Sequence, residues 1–140
     1  MQLKGAGMNK SKFQFLNPEL EQVEFTVNEH FNAELCDGIS MQSNTEVKMM
    51  GGNEAYASLT LKVGDASESQ PFNILVKMSS KFHWDESLDD EKAKKMLNIN
   101  APAALLSYIR PIISSMTGNS KYPALNIPFI DFTEVTKENT

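Results

Sequence analysis

The chain has 140 residues, 41 % of them hydrophobic and 22 % charged, which fits one globular domain and leaves no room for a second large core. A formal charge of −5 and a pI near 5.0 exclude the basic field that nucleic acid or anionic lipid requires. Cys36 is the sole cysteine, so no internal disulfide forms, and a reducing compartment is expected.

Residues 1–11 lack the apolar core of a signal peptide and read as a flexible tail. No apolar run reaches the roughly 18 residues of a membrane span, so membrane insertion is not expected and the cytoplasm is. Phe13 and Phe15 alternate with polar neighbours, as do Val23, Phe25 and Val27, which predicts one long strand interrupted near Pro18. Ile39, Met41, Val47 and Met49 continue the period of two. Gly51-Gly52-Asn53 supplies a turn. Ala55, Ala57, Leu59, Leu61 and Val63 then alternate with Tyr56, Ser58, Thr60 and Lys62 in the cleanest run of the chain. After a polar loop from Gly64 to Gln70, Phe72, Ile74, Val76, Met78, Phe82 and Trp84 form the last apolar face. Short turns between successive strands predict an antiparallel meander of four strands with one wet face.

Two helices are expected to cover the dry face. Ser87 with Asp90 three residues on is a capping-box pattern, and Asp89, Asp90 and Glu91 precede Lys92, Lys94 and Lys95 as the helix dipole favours. Asn100 is read as the N-cap of a second helix with Pro102 in its first turn. Leu105, Leu106, Ile109, Ile112, Ile113 and Met116 make its apolar stripe, and Gly118 its stop. Pro111 removes one backbone hydrogen bond and predicts a kink near Ser107. Pro123 and Pro128 predict extended chain from Tyr122 to Phe132. The whole is one α+β domain over 1–140, with 133–140 as a second tail.

Positive signs of enzyme chemistry are missing. His30 and His83 lack metal-ligand spacing to each other or to Cys36, so neither a metal nor any other cofactor is expected. No base or family signature flanks Cys36. Gly5-Ala6-Gly7 does not join a strand to a helix, so it is no phosphate loop. Eight methionines, among them Met41, Met49, Met78 and Met116, serve either core packing or a soft surface for varied partners.

The run Asn100-Ala101-Pro102 through Ser107-Tyr108-Ile109-Arg110, then Ser115-Met116, Tyr122-Pro123-Ala124-Leu125-Asn126-Ile127 and Ile130-Asp131-Phe132, resembles the SecB protein-export chaperone family. Residues 54–63 and 71–82 fit that family's third and fourth strands more loosely. The resemblance implies a four-stranded antiparallel sheet with helices on one face and a homotetramer built as a dimer of dimers. It also implies an ATP-independent holdase that binds unfolded precursor polypeptides and delivers them to the SecA motor ATPase. On this reading Phe31, Phe82, Trp84, Phe129 and Phe132 are candidate client contacts, and Tyr108, Arg110, Ile109 and Ile113 candidate oligomer-interface or packing residues. Leu75 stands where family members that dock SecA present an acidic group, with Glu21 and Glu24 as acids on the first strand. A chaperone dedicated to the antitoxin of a toxin–antitoxin pair, and a non-catalytic scaffold, are the alternatives on the same fold.

Overall fold

A computed structural model describes residues 9–134. The elements are β1 (Phe13–Phe15), β2 (Glu19–Val27), a 3₁₀ turn (Ala33–Leu35), β3 (Met41–Gly51), β4 (Glu54–Gly64), β5 (Phe72–Trp84) and one helix, α1 (Asp90–Gly118). Most of the expected tails, 1–8 and 135–140, lie outside the described residues. Backbone at 132–134 is helical.

The α+β class is as the alternation predicts: an antiparallel sheet of five strands with a helix packed on one face. β1 and β2 are the two halves of the interrupted first strand. Both pair β5, with Phe13 opposite Trp84 at one end and Val27 opposite Phe72 at the other, so five strands fill four lanes. The lane order is β1/β2, β5, β4, β3. Only β3, β4 and β5 form a meander, because the first strand lies beside the last one. Residues 28–40 must therefore cross three lanes, about 14 Å at normal strand spacing. Side-chain amides secure that crossing. Gln70 is buried; its Oε1 accepts from the Ser40 N–H and its Nε2 donates to the Gly38 carbonyl at 2.9 Å each. The Asn28 amide donates to the Ser67 and Gln70 carbonyls at 2.6 and 3.0 Å.

The β3–β4 turn runs through Gly51, Gly52 and Asn53, with φ of 79°, 63° and 60°. Such left-handed backbone suits glycine and asparagine, which explains that tripeptide. In β4 and β5 the apolar set Ala55, Ala57, Leu59, Leu61, Val63, Phe72, Ile74, Val76, Met78, Phe82 and Trp84 is buried. The alternate set faces away from the helix.

The expected pair of helices is one helix. Asp89, not Ser87, is the N-cap, and its carboxylate accepts from the Glu91 and Lys92 N–H groups at 2.8 and 3.3 Å. Asn100 and Pro102 lie inside α1, which is continuous through Pro102 and Pro111. The physical reason is packing. Ala93, Leu97, Ala101, Leu105, Ile109, Ile113 and Thr117 recur every fourth residue, and all are buried against the sheet. Burial of one large aliphatic side chain contributes about 1.5–3 kcal/mol, so several of them offset the roughly 3 kcal/mol cost of a helical proline. Asn119, one residue beyond Gly118, closes the helix, its N–H reaching the Met116 and Ser115 carbonyls. Residues 123–131 carry no helix or strand and lie along α1. They are held by the Leu125 N–H donating to Thr117 Oγ1 at 2.7 Å and by Arg110 Nε donating to the Ile127 carbonyl at 2.7 Å.

Candidate binding surface

A helix about 10 Å across cannot roof a sheet four lanes wide. Helix α1 sits chiefly on β5 and β4 and touches β3 more lightly, at the half-buried Val47 among others, so much of the two outer lanes stays uncovered on the same face. Strand register shows which side chains this leaves bare. On one margin Phe15, Leu20 and Val23 lie opposite Phe82, Met78 and Val76, all three buried, so they point to the helix side. All three are exposed, and Tyr108 of α1 flanks them, its ring 6.2 Å from that of Phe15. On the other margin Met41 and Met49 lie opposite the buried Val63 and Ala55 and are exposed, with Leu35 and Ile39 exposed on the crossing loop before them.

Aromatic rings close one end of the helix–sheet layer. Phe31 from the crossing loop meets Tyr122 edge-on at 6.1 Å, Tyr122 meets Phe72 at 5.7 Å, and Phe72 meets Phe25 at 6.0 Å. Edge-to-face rings in this range attract beyond their shared area. Loop, outer strand and post-helix segment are thereby joined through half-buried aromatic side chains.

The opposite sheet face is polar and mixed in charge. Lys77 pairs with Glu21 at 3.3 Å and Lys81 with Glu54 at 3.0 Å. The Ser79 hydroxyl donates to Glu21 at 2.7 Å; that bond first, and Lys77 second, hold the Glu21 carboxyl below the ordinary carboxylate range. Leu75 lies between Lys62 and Glu24 in cross-strand register, a neutral spot with one charge of each sign beside it. Among the described residues no group of three or more His, Cys, Asp and Glu side chains could hold a metal ion. No helix among them is long and apolar enough to cross a membrane.

Residues 20–140 match the family described as preprotein translocase subunit SecB. The chain belongs to the SecB family. SecB proteins are chaperones, not enzymes. The chain is 29 % identical over 137 residues to the protein-export protein SecB of Anaplasma marginale (strain Florida), covering 93 % of this chain and 78 % of that one. It is 40 % identical over 48 residues to the Anaplasma phagocytophilum (strain HZ) protein of the same name, a stretch that covers 34 % of this chain and spans only 30 % of that relative. Its fold is similar to that of the Mycobacterium tuberculosis SecB-like chaperone Rv1957, solved in complex with a ChAD peptide from the HigA1 antitoxin. The TM-score is 0.66 at 14 % identity, covering 86 % of this chain and 88 % of that one.

Within this SecB fold the residues singled out in the sequence fall apart into two groups. Phe82, Trp84 and Phe132 are buried, so the expected client contact gives way to core packing: Phe82 and Trp84 stack on Phe13 at ring distances of 5.5 and 6.2 Å. Phe31 is half-buried in the aromatic junction, and Phe129 alone of the five stands out, 87 % exposed. Ile109 and Ile113 pack against the sheet and reach no surface. Tyr108 is exposed, while the Arg110 guanidinium lies 4.9 Å from the centre of the Phe129 ring. Alternation places Phe15, Val23 and Ile39 on apolar strand faces without marking them as binding residues, and Leu20 and Leu35 carry no signal in the sequence at all. Alternation marks β2 as amphipathic, but only the lane order makes it an edge.

Proposed function

We propose that this SecB-family chain is an ATP-independent holdase that keeps unfolded precursor polypeptides competent for export. The observation that carries the reading is the pair of bare apolar margins beside a sealed core. A compact fold with no apolar demand of its own left on those margins offers them to other chains. Work in the cytoplasm, without a cofactor, is part of the same proposal.

The two margins suit different partners. The crossing-loop and β3 margin is the client side. Its unbranched methionines adapt to varied side chains, and the outer edge of β3, which pairs only β4, offers main-chain hydrogen bonds to an extended segment. Phe129 and Phe31 belong to this reading as further client contacts. The β1/β2 margin with Tyr108 is the side on which copies meet, giving a homotetramer as a dimer of dimers. Binding the unfolded state shifts a client's folding equilibrium by mass action, so no nucleotide is needed. Light scattering of an aggregating client tests the function: suppression at substoichiometric tetramer is expected, and no suppression at any ratio ends the reading.

A second reading, a chaperone dedicated to one antitoxin, draws on two observations. One is the fold shared with a chaperone that holds an antitoxin peptide. The other is the mixed-charge sheet face around Leu75, where an apolar side chain stands between Lys62 and Glu24 at the position in which SecA-docking family members carry an acid. A pull-down that returns many unrelated precursors together with SecA decides for export.

A further inference from the structure

The exposed sulfurs of this chain are distributed unevenly. Met41 is 37 % and Met49 50 % exposed, both on the helix side of β3, and they are the large apolar side chains of that strand's margin. Between them on the same side lie Ser43, Thr45 and the half-buried Val47. Met78, by contrast, is sealed in the core opposite Leu59. Met50 is exposed too, but it is the unpaired residue at the register shift next to the β3–β4 turn, off the row that Met41 and Met49 share.

We infer that Met41 and Met49 form a reversible oxidation site that turns client binding down. The inference rests on the client reading of the β3 margin. The chemistry needs a peroxide from outside the protein. The thioether sulfur attacks one peroxide oxygen, an S–O bond forms, and the O–O bond breaks. Sulfur loses two electrons, and the departing hydroxide takes up the proton of the transferred oxygen and leaves as water. A methionine sulfoxide reductase restores the thioether at the expense of two thiols, which become a disulfide while their protons carry the sulfoxide oxygen away as water. The product is a polar, hydrogen-bond-accepting sulfoxide on a margin that works by being apolar and adaptable.

Placement makes this selective. Both sulfurs sit exposed on an edge strand, opposite the buried Val63 and Ala55 and outside the row of buried side chains under α1. Oxidation therefore alters what the margin offers and spares what holds the chain together. Leucine at these positions would supply a similar apolar area without reactivity.

The test uses the full chain, hydrogen peroxide and a dye-labelled, permanently unfolded polypeptide. Peptide mass mapping is expected to show sulfoxide at Met41 and Met49 well before Met78, and slower at both sites when polypeptide is bound. Affinity is expected to fall roughly tenfold on oxidation, as polar oxygens are buried without partners, and to recover with reductase and dithiol. The Met41→Leu/Met49→Leu variant, whatever its starting affinity, shows no drop from its own untreated value on the same treatment, whereas Met50→Leu protects nothing. Unchanged affinity with both sites fully oxidised overturns the inference, as does equal sensitivity of the double variant. An untreated chain that does not bind the polypeptide overturns the client reading itself.

Discussion

Thr117 illustrates how much of this molecule hangs on single polar atoms. Its side chain is buried, its hydroxyl donates to the Ile113 carbonyl at 2.8 Å, and the same oxygen accepts from the Leu125 N–H at 2.7 Å. Thr117→Val keeps the shape and deletes both bonds, leaving the Leu125 N–H unpaired. A loss of about 1–2 kcal/mol is expected in urea unfolding, and no loss would mean that water replaces the hydroxyl. Glu21 shows a second kind of dependence. Ser79 holds its carboxyl below the ordinary range, so the folded state favours the ionised form. That small contribution is present above the carboxyl's unfolded pKa and is lost as pH falls through the lowered folded value. Ser79→Ala removes the larger cause, and NMR titration of the Glu21 carboxyl carbon should show its pKa move up toward the ordinary value. A pKa unmoved by Ser79→Ala would assign the effect to Lys77 instead.

At the scale of elements, Gly64 ends β4 with φ of 73°, and a Cβ there would stand 1.9 Å from the Phe72 carbonyl oxygen. Gly64→Ala therefore meets both a disfavoured backbone and a rigid neighbour, and a cost of roughly 3 kcal/mol is expected in thermal unfolding. Gly118→Ala is the control: ordinary helical backbone, a new Cβ in van der Waals contact with the Ala124 Cβ at 3.4 Å, and a gain of a few tenths to about 1 kcal/mol from helix propensity. A reversed order of the two melting temperatures would contradict the close approach at Gly64. These elements were legible to different degrees. The alternation of β4 and β5 shows in Ala55–Val63 and Phe72–Trp84 because both strands are buried on one face only. The break near Pro18 shows because proline cannot donate to the ladder. The lane order does not show, since the pairing of Val27 with Phe72 is non-local and leaves no mark on either sequence. Nor does the single helix: Asn100 followed by Pro102 mimics a start locally, while Ala93 and Leu97 extend the buried row backwards as only two apolar positions among charged neighbours. Burial of Phe82 and Trp84 against exposure of Phe129 likewise depends on which segment ends up under the helix, and aromatic identity alone carries no such information.

For the whole molecule the decisive quantity is its mass in solution. The β1/β2 margin is apolar on its helix side and carries Glu19, Glu21 and Glu24 with no cation of its own. Of these, Glu21 is paired with Lys77, and among the described residues Glu19 and Glu24 form no ion pair. In the proposed assembly, an interface through Leu20, Val23 and Tyr108 buries the apolar row and leaves the glutamates in water at its rim. A stable pair of subunits removes about 1,600 Å² from solvent, more than the strand alone supplies, so the exposed flank of α1 has to take part. Val23→Lys sets a charge in the middle of that row. Val23 is already exposed in the single subunit, so the variant should keep its far-UV circular dichroism and its melting behaviour. In the assembly the same lysine is buried without a partner, and association should weaken by about 100-fold, near 3 kcal/mol. Light scattering is expected to give a tetramer for the natural chain and a smaller species for Val23→Lys at micromolar concentration. Met49→Lys, on the opposite margin, should leave the mass unchanged and reduce binding of an unfolded client. If Met49→Lys dissociates the assembly and Val23→Lys spares it, the roles of the two margins are exchanged, and clients are held on the glutamate-bearing side, where basic segments would be favoured.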